Sequence, residues 1–254
     1  MSYSLQNTTS DKQFINKDTI SLYANTNEAH IEGEVKGIII ELPGLGGGSC
    51  LGGNMERADY SSDRAKDFAK NGIVIAYMFP GPWSWGNSSA VRMSDAVIDA
   101  IIDKYSLNNP PIAVCGGSMG GVGALTFASY SRHVLSCVAL ACPCVDILAC
   151  FNCLPDFPRT LISAVASYDL PLEDALKTIS PVENIDKLKK VPYFICSDGD
   201  DELFPESQCN DFVDKMQNRG YEVTYRRQPS LKHGGFFPEV RNELHDFLLK
   251  NLLS

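Results

Sequence analysis

Basic residues are in short supply. Lys and Arg number 22 against 31 Asp and Glu, a formal charge of −9 at pH 7. A surface of that sign cannot replace the counterions of a nucleic-acid backbone, so general nucleic-acid binding is excluded. It is also repelled by anionic lipid, and no membrane partner is expected. Long apolar runs are missing. The longest, such as Gly37–Leu42 and Ile73–Met78, are strand-sized, well short of the ~20 residues that a spanning helix needs. Met1–Asp18 is polar and lacks a basic start followed by an apolar run, so it does not read as a secretory leader. No internal repeat and no low-complexity linker divides the chain. Histidine (four) and tryptophan (two) are scarce enough to be weighed one by one.

Cysteine, by contrast, is plentiful. Nine is an odd number, and Cys115, Cys137 and Cys196 lie within apolar runs. That pattern reads as reduced, buried thiols in a cytoplasmic protein. With 254 residues, 44% hydrophobic and 21% charged, the chain has enough apolar mass for one α/β domain over 1–254.

Short alternating stretches at Thr19–Leu22 and Ala29–Glu34 predict a hairpin around Asn25-Thr26-Asn27. From Lys36 onward, buried-type strands alternate with amphipathic helices. Strands are expected at Gly37–Leu42, Ile73–Met78, Ile112–Cys115, Leu135–Cys142, Val191–Cys196 and Tyr221–Tyr225. Helices are expected at Ser61–Asn71, Ser88–Lys104, Met119–Ser131, Pro205–Arg219 and Pro238–Leu252. This alternation implies an α/β fold with a mainly parallel central sheet and helices on both faces. Residues 143–190 interrupt it. About 48 residues is too long for a structureless loop in a compact domain, and helical patterns at Arg159–Ser167 and Leu172–Ile179 suggest a small helical cap insertion.

The strongest chemical signal is Gly116-Gly117-Ser118-Met119-Gly120-Gly121. It fits G-x-S-x-G between a strand and a helix, where a sharp turn lifts a serine hydroxyl above the sheet edge. The helix that follows points its positive end at the same place. A serine needs a base. His30 lies near the N-terminus, His133 follows the helix after Ser118, and His245 falls on the last helix, toward solvent. His233 alone falls in a loop after a strand, Ser230–Gly235, where loops of a parallel sheet gather around one crevice. A carboxylate is expected after Val191–Cys196, where Asp198, Asp200 and Asp201 compete.

The order serine, aspartate, histidine, with the Asp200–Pro205 segment, resembles the α/β-hydrolase superfamily over roughly residues 35–252. The nearest resemblance is to its dienelactone-hydrolase and prolyl-oligopeptidase-like esterase branch. The family's acid lies four residues before a proline, which points to Asp201, with Asp200 next and Asp198 third. The resemblance also implies an oxyanion hole from the backbone N–H of Met119 and of Leu45 or Gly46, in the loop Glu41–Gly48. Pro43 there replaces a usual histidine and has no N–H to give.

The implied activity is hydrolysis of a small-molecule carboxylic ester through Ser118, His233 and Asp201, with no cofactor. A peptidase or acyltransferase would use the same residues, and a non-catalytic binding module is the alternative of another class. Trp83 and Trp85, in the loop after Ile73–Met78, are expected either to wall a substrate pocket or to pack on the N-terminal hairpin. Phe151 and Phe157 of the cap are expected to roof that pocket. Cys142, Cys144, Cys150 and Cys153 lack a usual zinc spacing and read as packing, so no metal is expected.

Overall fold

Strands β2 (Gly37–Leu42), β3 (Ile73–Met78), β4 (Ile112–Gly117), β5 (Cys137–Ala141) and β6 (Tyr193–Asp198) are almost wholly apolar because both of their faces are covered. In this computed structural model, which describes residues 13–46, 60, 62–229, 231–235 and 237–254, they join β1 (Ala24–Thr26) and β7 (Val223–Gln228) in one sheet. The order is β1-β3-β2-β4-β5-β6-β7. β1 runs antiparallel to β3, and every other pair is parallel.

Side chains alternate between two cores with the period of two that a pleat imposes. Ile38, Ile40, Val114 and Leu140 face a core shared with α2 (Ser88–Tyr105), α3 (Met119–Tyr130) and α7 (Glu206–Asn218). Ile39, Ala113, Cys115 and Phe194 face the opposite core, with α1 (Asp63–Lys70) and α8 (Pro238–Leu253). Ser62 and Asn87 cap α1 and α2 by accepting the Ala65 and Ala90 amides. Among the described residues, no helix is long and apolar enough to cross a membrane.

The predicted N-terminal hairpin is wrong. Thr19–Leu22 holds a 3₁₀ turn at Ile20–Leu22, a second at Glu28–His30 runs into Ala29–Glu34, and Asn25 and Thr26 of the supposed turn lie in strand β1. The reason lies in Asn27, which is fully buried. Its amide donates to the carbonyls of Ala65 and Ile73 at 2.8 and 3.0 Å and accepts from the Ile75 amide at 2.9 Å. A residue read as a turn former is instead a polar rivet between the sheet edge and α1. Asn27→Ala leaves these groups without that partner, and a loss of ~3 kcal/mol is expected in urea unfolding, given ~1–3 kcal/mol per orphaned buried group.

Between β5 and β6 the chain forms α4 (Ile147–Cys150), α5 (Phe157–Val165) and α6 (Leu172–Ile179), with 3₁₀ turns at Pro181–Glu183 and Ile185–Lys187. Phe157, Leu161, Ala164, Leu176 and Ile179 from this insertion form a third apolar cluster with Trp85, Met119, Val122 and Phe204. The insertion therefore packs directly onto the start of α3 and the loop after β6.

Candidate active site

β4 ends in two glycines, and Ser118 turns the chain into α3 with φ 55° and ψ −124°. A side-chain-bearing residue adopts that conformation only when its surroundings enforce it. Here the Ser118 amide donates to Ala141 of the next strand at 3.0 Å, and its carbonyl accepts from Gly121 at 3.0 Å. The turn is too tight for side chains at two neighbours. A Cβ on Gly116 would lie 2.3 Å from the Gly120 carbonyl oxygen, and one on Gly120 would lie 2.1 Å from that of Leu42.

The loop after β2 runs beside this turn: a Cβ on Gly44 would lie 3.8 Å from Ser118 Cβ. The Gly46 amide is engaged by the Pro82 carbonyl at 3.3 Å, which favours Leu45 over Gly46 as the free donor. Leu45 is half-buried against the cluster that holds Met119. Gly47 and Gly48 lie outside the described residues.

Of the three competing aspartates, Asp201 meets His233. Its Oδ2 lies 2.8 Å from His233 Nδ1, and its Oδ1 accepts from the Leu203 and Phe204 amides, both at 2.9 Å. Burial raises the Asp201 pKa, but the bonds from His233, Phe204 and Leu203 outweigh it and hold the carboxyl below its ordinary value. A carboxylate only accepts, so Nδ1 presents the N–H, and in the neutral ring Nε2 is the acceptor. Asp198 is fully buried and accepts from the Asp200 and Leu231 amides instead. Asp200 is exposed. Phe204, which sequence reasoning did not single out, packs edge-on against the His233 ring at 5.1 Å.

Two of the other three histidines, His133 and His245, are engaged elsewhere. His133 lies 3.4 Å from Asp99. His245 does not face solvent as expected: its Nε2 is 2.7 Å from Asp67 and its ring lies 4.4 Å from that of Phe68. It borders a cavity of 760 Å³ whose walls include Glu41, Arg64, Cys115 and Gly117 but neither Ser118 nor His233. That cavity lies on the α1–α8 side of the sheet. Burial, and then Glu41, pushes the Cys115 thiol up to about 12, so it stays protonated at neutral pH and is no rival nucleophile.

The two tryptophans part company. Trp85 is completely buried, its indole N–H donates to Thr160 Oγ1 at 3.1 Å, and its ring meets Phe157 edge-on at 5.2 Å. Trp85 belongs to the cluster that the 143–190 helices share with Met119 and Phe204, not to the core that holds Ile20 and Ala24. Trp83 is half-exposed under the Arg159 guanidinium at 5.1 Å. Phe151 is half-buried on the same cluster. The cap cysteines do not converge. Cys144 and Cys150 touch as thiols at 3.2 Å, Cys142 turns toward Gly234 and Asp198, and Cys153 is exposed. Among the described residues, no group of three or more His, Cys, Asp or Glu is placed to hold a metal.

Comparison with known proteins agrees with this geometry at the level of family and fold. Dipeptidyl peptidase family member 6 of Caenorhabditis elegans is 25% identical over 172 residues, 65% of this chain and 23% of that protein. The chain thus spans about a quarter of that relative's length. Among solved structures, a Mycobacterium tuberculosis puromycin-hydrolyzing peptidase superposes with a TM-score of 0.69 at 18% identity, over 87% of this chain and 35% of the other. Esterase B of Lactobacillus rhamnosis gives a TM-score of 0.63 at 13% identity, over 87% of this chain and 76% of the other. Residues 88–253, more than half of the chain and including Ser118, Asp201 and His233, match the prolyl oligopeptidase family. With its largely parallel sheet and a sharp strand-to-helix turn at Ser118, the chain belongs to that family and has the α/β-hydrolase fold.

Proposed function

We propose that the chain is a serine hydrolase that transfers an acyl group from a carboxylic ester to water through Ser118. The observation that carries the reading is the Asp201–His233 hydrogen bond, in a chain whose strand β4 runs into a serine held at positive φ. With Nδ1–H committed to Asp201, Nε2 of His233 is the atom available to take the Ser118 proton as Oγ attacks the carbonyl carbon. Asp201 then steadies the imidazolium. Oxygen charge developing in the tetrahedral intermediate is met by the Leu45 and Met119 amides, and one such donor is typically worth ~3 kcal/mol of barrier. The imidazolium returns its proton to the leaving alkoxide. Nε2 next deprotonates water as it attacks the acyl-serine, and the imidazolium returns that proton to Ser118 Oγ as the acid leaves. The eight described cysteines are all free thiols, which fits a reducing, cytoplasmic setting.

A second reading, amide rather than ester cleavage, is favoured by the peptidase name of the C. elegans relative. The proton traffic is the same, with the proton delivered to a leaving amine. Labelling of the folded protein by a fluorophosphonate, mapped to Ser118, tests the serine-hydrolase reading, and no labelling would favour a binding module. A panel of aryl esters from acetate to decanoate beside aminoacyl amides then separates the two substrates through kcat/KM.

The roofing role of the cap has its own expected outcome. Phe157 is 2% exposed and stands between Trp85 and Phe204. Phe157→Ala is expected to cost ~3–5 kcal/mol of stability in chemical denaturation. Phe151→Ala, at a half-buried site, should leave stability nearly intact and shift the ester chain-length preference toward longer acyl groups by ~10–200-fold in relative kcat/KM. An unchanged profile for Phe151→Ala places the pocket wall elsewhere.

A further inference from the structure

The loop that carries His233 is fastened at both ends by side chains that sequence reasoning did not assign to the base. At its entry, Asp198 Oδ2 accepts from the Leu231 amide at 2.9 Å, while Oδ1 of the same carboxyl accepts from the Asp200 amide at 2.9 Å. One side chain thus ties the loop of the acid to the loop of the base. At the exit, Gln228 Oε1 accepts from the Phe237 amide at 2.8 Å and Nε2 donates to the Gly235 carbonyl at 3.3 Å. Asp198 and Gln228 end β6 and β7 as register partners, and both are buried. Buried polar groups at strand ends are costly unless satisfied. These bonds go to the backbone of the two loops. Between the two fastenings, Lys232 and Gly234 on either side of His233 have φ of 61° and 80°. That conformation is uncommon for a residue with a side chain.

We infer that Asp198 and Gln228 are positioning residues that set the His233–Asp201 hydrogen bond. The inference rests on the proposed roles of Ser118, His233 and Asp201. Neither residue needs to touch substrate. Their effect belongs in kcat rather than KM, because a base displaced by about 1 Å loses turnover without losing substrate contacts.

The test uses the full chain with p-nitrophenyl acetate, and fluorophosphonate labelling of Ser118. Its structural readout is the far-downfield proton resonance of a histidine Nδ1–H bonded to a carboxylate. Asp198→Ala is expected to lower kcat about 10²-fold with KM nearly unchanged and to remove the downfield resonance, as Asp201→Asn also should. Asp198→Asn retains one acceptor and should fall between Asp198→Ala and wild type. A wild-type protein that neither turns over nor labels sinks the triad reading and this inference with it. An active wild type beside a folded Asp198→Ala variant with unchanged kcat and an intact resonance overturns the positioning role alone. If Asp198→Ala does not fold, Gln228→Glu decides. It keeps the shape but sets an oxygen against the Gly235 carbonyl, so a loss of about 10-fold in kcat is expected, and wild-type kcat overturns the inference.

Discussion

Ser118→Gly is expected to yield a protein that is inert toward esters and more stable than the parent. The loss of activity follows from the chemistry. Without the hydroxyl there is no acyl-enzyme, and removal of such a nucleophile costs about 10⁶ in kcat in well-studied serine hydrolases. The gain in stability follows from the backbone. At φ 55° and ψ −124° a serine carries strain of about 1–3 kcal/mol, which glycine does not suffer. Ser118→Ala should be equally inactive but should retain the strain, because alanine has the same Cβ. The pair separates the two effects. Thermal melts are expected to rank glycine above both serine and alanine, while rates toward p-nitrophenyl acetate fall to background in both variants. Residual turnover of more than a few per cent in Ser118→Ala would show that another group attacks. A glycine variant no more stable than wild type would show that the turn is not strained by its side chain.

Asp201→Asn is the second large effect. The amide preserves the shape, and its oxygen can still accept from the Leu203 and Phe204 amides. Its other terminus is then an NH₂ facing His233 Nδ1. That group donates, so the favoured tautomer of the imidazole reverses, the proton moves to Nε2, and the base is blocked. The comparable change in a well-studied serine protease costs about 10⁴ in kcat. Asp200→Asn alters an exposed side chain and should remain within a few-fold of wild type on the surface-substitution scale. Steady-state kinetics on the two variants decides between adjacent residues. If Asp200→Asn is the inactive one, the acid is misassigned by one position.

How much of this could be read beforehand depended on where the deciding interactions lie in the chain. GIIIEL and IVIAYM announce buried parallel strands because covering both faces leaves little room for polar residues. The turn at Ser118 was legible because its steric demands fall on Gly116 and Gly120, within four residues. β7 was placed short by three residues. Its Arg226 and Arg227 look unlike strand, yet on a sheet edge they pair with Glu243 and Glu206. The three aspartates were ranked only through the family resemblance and its offset to Pro205, because what separates Asp198 from Asp201 is the distant group each meets, Leu231 or His233. His245 was misjudged for the same reason, its partner Asp67 being 178 positions away. The N-terminal error was of another kind. Asn27 has the composition of a turn and the burial of a core residue, and composition alone does not reveal which applies.

The aromatic rings under the cap form a continuous line: Trp85 to Phe157 at 5.2 Å, Phe157 to Phe204 at 6.2 Å, and Phe204 to His233 at 5.1 Å. A guest that wedges α5 outward disturbs the same contacts that brace the imidazole. Under the mechanism proposed above, ill-fitting substrates are then expected to lose speed more than affinity. Discrimination among them becomes a matter of timing at the base, and binding measurements alone will under-report it.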